Sequence, residues 1–157
     1  PDLDIWIPGA HNGTFRGNNL AFVTARAALL HYWSDDAFAD TVRRKGGIMR
    51  NWLDHIAADY PSGEFTVRGR GMIQGLAAKS PKLAGDIAKR CFEKGLVIET
   101  SGADDVLKLL PALTIDEQLL CKGLDIIEDS VADVLGVDRM QGRDRKVKYI
   151  NFRTAAR

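Results

Sequence analysis

At 157 residues, with 45% hydrophobic and 27% charged content, the chain is long enough to bury one core and too apolar to be disordered. No apolar run approaches the roughly 20 residues of a membrane-crossing helix, and Asp2 and Asp4 stand where a leader would be basic, so neither membrane insertion nor secretion is expected. The net charge of +1 hides an asymmetry: seven basic and two acidic residues fall at or after Asp138, leaving +5 there and −4 before it.

In chain order, the first residues are extended and begin without methionine, which reads as a cut end. Leu20 to Trp33 is apolar on nearly all sides, interrupted only by Thr24, Arg26 and His31. That pattern predicts a helix buried by more protein than follows it, so an upstream portion is expected. Ser34 is placed to cap a second helix, with Asp35 and Asp36 in its first turn and Phe38, Val42, Met49, Trp52 and Ile56 as its apolar stripe. Gly46-Gly47 weakens the middle of that helix, and Tyr60-Pro61-Ser62-Gly63 ends it.

Glu64 to Arg70 and Met72 to Ala78 alternate as two strands meeting near Gly71. Ser80-Pro81 starts a third helix with Leu83, Ile87, Ala88 and Cys91 on its buried face, and Gly95 stops it. Leu96 to Glu99 and Val106 to Leu110 read as short strands around a Gly- and Asp-containing turn. Thr114 and Glu117 have capping-box spacing for a last helix that ends near Leu135 at Gly136. The order predicts an α+β small domain hung on a long helix, after a piece of a larger domain. The expected division is 1–33, a connecting helix over 34–59, the small domain over 60–136 and a basic tail over 137–157.

Cys91 and Cys121 have no CxxC or Cys/His spacing and read as reduced thiols in a cytoplasmic protein. His11, His31 and His55 form no ligand set, so no metal is expected, and His11 borders the segment of greatest interest. The tail is short, with Tyr149 and Phe152 as its aromatics. It reads as a solvated extension or one docked on a neighbouring subunit, and a nucleic-acid partner is not expected.

The segment of greatest interest is His11-Asn12-Gly13-Thr14-Phe15-Arg16-Gly17-Asn18-Asn19-Leu20. Its glycines permit close approach, Thr14 offers a hydroxyl, and Asn18 or Asn19 can cap a helix whose free N–H groups point at an anion such as phosphate. The same residues are also what an ordinary turn and cap require. With its flanks, the run resembles the segment downstream of the catalytic lysine in class III pyridoxal-phosphate aminotransferases, which typically reads histidine-glycine-threonine-phenylalanine-x-glycine-asparagine. Val67 to Leu76 resembles a hairpin of that family, and Lys108-Leu109-Leu110-Pro111-Ala112-Leu113 resembles its substrate-carboxylate segment, in the right order over residues 1 to 135.

The resemblance implies an α/β fold type I enzyme of which this chain is the end of the large domain plus an α+β C-terminal small domain. It implies a pyridoxal 5'-phosphate cofactor, amino-acid and aldehyde substrates, and a Schiff-base lysine upstream of Pro1, so that no catalytic residue, and no activity, is expected of these residues alone. Thr14 matches the family threonine that binds the cofactor phosphate of the neighbouring subunit, which implies a homo-oligomer of at least two chains with shared active sites. Gly13 and Asn12 are cofactor-binding candidates beside it; for Asn12 a turn-stabilising role is equally open, and Phe15 is expected to pack. Arg16 is a candidate for a phosphate or carboxylate, or for a surface ion pair. In the hairpin Arg68 reads as architecture and Arg70 as a candidate carboxylate ligand. Lys108 stands where the family has an arginine for the α-carboxylate; it keeps the charge and loses the planar fork, as suits transfer to a terminal aldehyde carbon. An ornithine- or 4-aminobutyrate-type ω-aminotransferase, or a non-catalytic phosphate-binding or assembly piece, remains open.

Overall fold

Asn18 starts the first helix by accepting hydrogen bonds from the N–H groups of Leu20 and Ala21 at 3.0 and 3.2 Å. In this computed structural model, which describes residues 2, 5–10 and 12–139, that helix is α1, Asn19–Tyr32. None of its residues is buried, and Leu20, Phe22, Val23, Leu29 and Leu30 all lie exposed. The chain divides into two compact units, Pro1–Ala39 and Asp40–Arg157. Within the first, Phe38 meets Tyr32 and Trp33 with ring centroids 4.8 and 5.0 Å apart, and these contacts turn the chain out of α1.

The second helix, α2 (Ala37–Asp59), begins three residues after Ser34. Its first N–H, that of Ala37, donates to Asp35 Oδ1 at 2.9 Å, so the aspartate two residues before it takes the role expected of Ser34. The helix runs unbroken through Gly46 and Gly47, because tertiary packing at Gly46 outweighs weak propensity. Ile48, Met49, Trp52, Leu53 and Ile56 form its buried face.

A 3-10 turn at Pro61–Gly63 leads into β1 (Thr66–Arg70) and β2 (Ile73–Ala77), an antiparallel hairpin with Gly71 and Met72 at its tip. Ser80 accepts from Leu83 N–H at 3.3 Å and opens α3 (Pro81–Glu93). The next strand, β3, is Glu99–Ser101 and not Leu96–Glu99. Leu96 N–H is drawn back to the Cys91 carbonyl at 2.9 Å to close α3, which keeps residues 96–98 out of the ladder. With β4 (Val106–Leu109) the sheet has the order β1-β2-β4-β3, every pair antiparallel.

The last helix, α4 (Glu117–Leu135), is capped by Asp116, which accepts from Gln118 and Leu119 N–H at 2.8 and 3.2 Å. Thr114 and Glu117 form no capping box, because the Glu117 carboxylate pairs instead with Arg44 of α2. Gly136 stops the helix at φ 66°. Leu76, Leu107 and Leu109 of the sheet join one core with Met49 and Leu53 of α2, Ile87 and Cys91 of α3, and Leu124 and Val131 of α4. No helix among the described residues is long and apolar enough to cross a membrane. His11 and the tail from residue 140 lie outside the described residues.

Candidate functional site

The glycine-framed segment folds as successive turns ahead of α1. Ala10 N–H reaches the Ile7 carbonyl at 3.0 Å, and Arg16 N–H reaches the Gly13 carbonyl at 3.2 Å. Asn12 Nδ2 donates to the Gly9 carbonyl at 3.0 Å, so its side chain braces the turn. A Cβ on Gly13 would lie 3.0 Å from Arg16 Nε and 3.2 Å from its Cγ; the arginine folds back over the glycine. Gly17, at φ 74°, then delivers the chain to the Asn18 cap.

The donors available to an anion differ from the expected ones. Asn18 already occupies the Leu20 and Ala21 N–H groups, and Phe22 N–H bonds the Asn18 carbonyl, so the first turn of α1 is largely satisfied. What the segment presents is the exposed Thr14, which enters no hydrogen bond among the described residues, beside the Arg16 side chain. A hydroxyl, turn N–H groups and a guanidinium suit the oxygens of a phosphate. Gly13, Thr14 and Arg16 thus share one turn, Asn12 braces the turn before it through Gly9, and Phe15, expected to pack, is exposed in this chain.

In the second unit the sheet register gathers the remaining candidates. Arg68 pairs with Gly75, Gly75 with Lys108, and Lys108 with Glu99, so these four lie in one cross-strand row and on one face. Arg70, two residues after Arg68, shares that face by strand alternation. The opposite face carries Gln74, Leu76, Leu107 and Leu109 into the core. Lys108 and Arg68 are two strand spacings apart, about 10 Å between backbones. Arg68 and Arg70 are exposed and Lys108 is half-buried.

Lys108 Nζ donates to Glu99 Oε2 at 2.7 Å. That hydrogen bond, and then the lysine's charge, holds the Glu99 carboxyl below its ordinary value. Any carboxylate arriving at Lys108 would have to displace or share Glu99. Glu99 escapes sequence reasoning because its pairing depends on the register of a strand that starts at residue 99, not at 96. The same pair stands among the residues lining an apolar groove of about 570 Å³ between α4 and the strands, with Leu96, Leu110, Leu119 and Ile127. Cys91 is buried, and burial pushes its thiol up; Cys121 is half-buried, and neither forms a disulfide among the described residues.

Over residues 3–131 the chain matches the protein family described as Aminotransferase class-III. It is 61% identical over 141 residues to the diaminobutyrate–2-oxoglutarate transaminase of Bordetella parapertussis, an alignment covering 88% of this chain and 32% of that protein. Identity to the enzyme of that name from Virgibacillus pantothenticus is 45% over 136 residues, 86% of this chain and 33% of the relative. Among solved structures, an N-acetylornithine aminotransferase from Stenotrophomonas maltophilia K279a superposes with a TM-score of 0.66 at 28% identity, covering 76% of this chain and 33% of that one. The chain spans about a third of the length of the curated relatives it matches.

Proposed function

The chain belongs to the class III aminotransferases, enzymes of α/β fold type I, and from that premise we propose that its complete polypeptide is a diaminobutyrate–2-oxoglutarate transaminase. The reaction moves an amino group from L-glutamate to L-aspartate 4-semialdehyde, giving L-2,4-diaminobutyrate and 2-oxoglutarate, and we place it in ectoine biosynthesis. The observation that carries this reading is the 61% identity over 141 residues to a relative of that name. The N-acetylornithine enzyme shares the fold at much lower identity.

Class III aminotransferases use pyridoxal phosphate, which when bound supplies an electron sink for the charge left as a substrate carbon loses its proton. Residues of this chain contribute binding and orientation. Thr14 and the backbone at Gly13 would hold the phosphate, Asn12 braces the turn ahead of them through the Gly9 carbonyl, and Arg16 would offset the anionic charge. Lys108 and Arg70, on one face of the sheet, take substrate carboxylates. Lys108 does so as a point charge in exchange with Glu99, and Arg70 as a planar fork. The phosphate turn serves a neighbouring subunit in a homo-oligomer of at least two chains, and two cysteines outside any disulfide among the described residues suit a reducing, cytoplasmic setting.

The test uses the complete polypeptide with pyridoxal phosphate and 2-oxoglutarate, comparing 2,4-diaminobutyrate, ornithine and 4-aminobutyrate as donors by glutamate formed. Diaminobutyrate is expected to lead; a faster turnover of either other donor overturns the substrate assignment. Thr14→Ala is expected to weaken cofactor retention about 10-fold or more, the loss of one hydrogen bond to a charged group, without altering donor order. Equilibrium dialysis against pyridoxal phosphate measures this, and unchanged affinity removes Thr14 from the site.

A further inference from the structure

Gln74 is 3% exposed in the middle of the sheet, opposite Gly69 of β1 and Leu109 of β4. Its Nε2 donates to the Gly46 carbonyl of α2 at 2.8 Å and to the Gly71 carbonyl of the hairpin turn at 2.7 Å. Both partners are acceptors, so the amide NH2 faces them, and Oε1 is left buried with no hydrogen-bond partner among the described residues. A methionine would fill similar space without stranding an acceptor. What the amide adds is two donors on one nitrogen, which tie a helix to a turn.

The backbones meet as closely as glycine allows. A Cβ on Gly46 would lie 2.8 Å from the Gly71 oxygen, and one on Gly69, at φ 101°, would lie 2.3 Å from the Ile73 oxygen. The hairpin tip is therefore held against the middle of α2 by close approach and by one side chain. Arg70 immediately precedes Gly71 and pairs with Ile73, so whatever fixes this turn fixes the direction in which Arg70 leaves the sheet.

On the proposed reading of Arg70 as a carboxylate ligand, we infer that Gln74, seated against Gly46, is the positioning residue that aims the Arg70 guanidinium at the substrate. Gln74 acts from the core face and Arg70 from the opposite one, so the effect passes through the turn and not through contact with substrate.

The complete holoenzyme tests this with Gln74→Met, Arg70→Gln and the double variant, reading transamination kinetics together with amide hydrogen exchange at residues 69–74. Gln74→Met is expected to speed exchange at the turn about 10-fold and to raise KM for 2-oxoglutarate about 10-fold, with kcat within about twofold. The double variant is expected to be no worse than Arg70→Gln alone, because an arginine that is gone cannot be mis-aimed. Gly46→Ala, which pushes the same turn from the helix side, is expected to reproduce the pattern and serves if Gln74→Met does not fold. Faster exchange with unchanged KM, or additive effects in the double variant, overturns the positioning role. Wild-type KM in Arg70→Gln removes Arg70 as the ligand and the role with it. A wild-type protein that does not transaminate removes the proposed function, while the exchange rates still decide whether Gln74 clamps the turn.

Discussion

Glu128 is a buried carboxylate with several partners in the second unit. Its side chain is almost fully buried on α4, where Oε2 accepts from Trp52 Nε1 at 2.9 Å and Oε1 from the Tyr60 hydroxyl at 3.5 Å. Its counter-charge is Arg139, 3.6 Å away, which also pairs with Asp125 and Asp129. Removing the cation takes away the positive charge that Arg139 sets against a buried carboxylate and two more acids, a state that costs more than the original pair yields. Arg139→Met is expected to destabilise by about 1–3 kcal/mol, less than for a fully enclosed pair because the arginine is one-third exposed. Denaturant midpoints measure it, and an unchanged midpoint would mean that Arg139 does not sustain the burial of Glu128. The sequence hides this residue: a glutamate between Asp125 and Asp129 reads as part of a solvated acidic face. The local conformation around Thr14 is legible for the opposite reason, since the glycines, the hydroxyl and the Asn18 cap are contiguous in the chain.

Among elements, α2 shows how far propensity and packing diverge. Gly46 and Gly47 are adjacent in one helix and look equivalent as weak points in the sequence. Around Gly46 a Cβ meets the Gly71 backbone at 2.8–2.9 Å, whereas at Gly47 it meets nothing within 4 Å. Gly47→Ala is therefore expected to stabilise by about 0.5–1 kcal/mol, the ordinary helix-propensity gain. Gly46→Ala has the same gain but forces helix and hairpin apart, for a net loss of about 1–3 kcal/mol. Urea unfolding of the two variants should give midpoints on opposite sides of the parent; the same sign for both would show that the hairpin yields freely. Helix existence and the β1–β2 hairpin were readable because periodicity and breakers are local, as in the run from Ser80 to Gly95, whereas the extent and register of β3 were not. Cap identity was not, because Ser34 and Asp35, or Thr114 and Asp116, offer equivalent oxygens until tertiary contacts such as Arg44 with Glu117 select one.

For the molecule as a whole, charge sets how the fold answers acid. Asp133 of α4 is bonded by Lys94 at 2.9 Å and Arg90 at 2.7 Å, joining α4 to the end of α3. Those bonds, Lys94's first, hold its carboxyl below the ordinary 3.8, as Lys108 holds that of Glu99 below 4.5. A carboxyl whose folded value lies below its unfolded one stabilises the fold above the unfolded value, and that stabilisation is lost as pH falls through the folded value. The melting temperature should therefore stay level between about pH 7 and 5 and decline below about pH 4. Both carboxylates face solvent, so the effect is screened: raising ionic strength to about 1 M, where the Debye length is near 3 Å, should make the acid decline shallower. Asp133→Asn removes one contributor and should flatten part of the decline even at low salt. If its melting curve against pH superimposes on that of the parent, the Arg90, Lys94 and Asp133 cluster contributes nothing to holding α3 on α4, and the acid response belongs to other carboxylates such as Glu99.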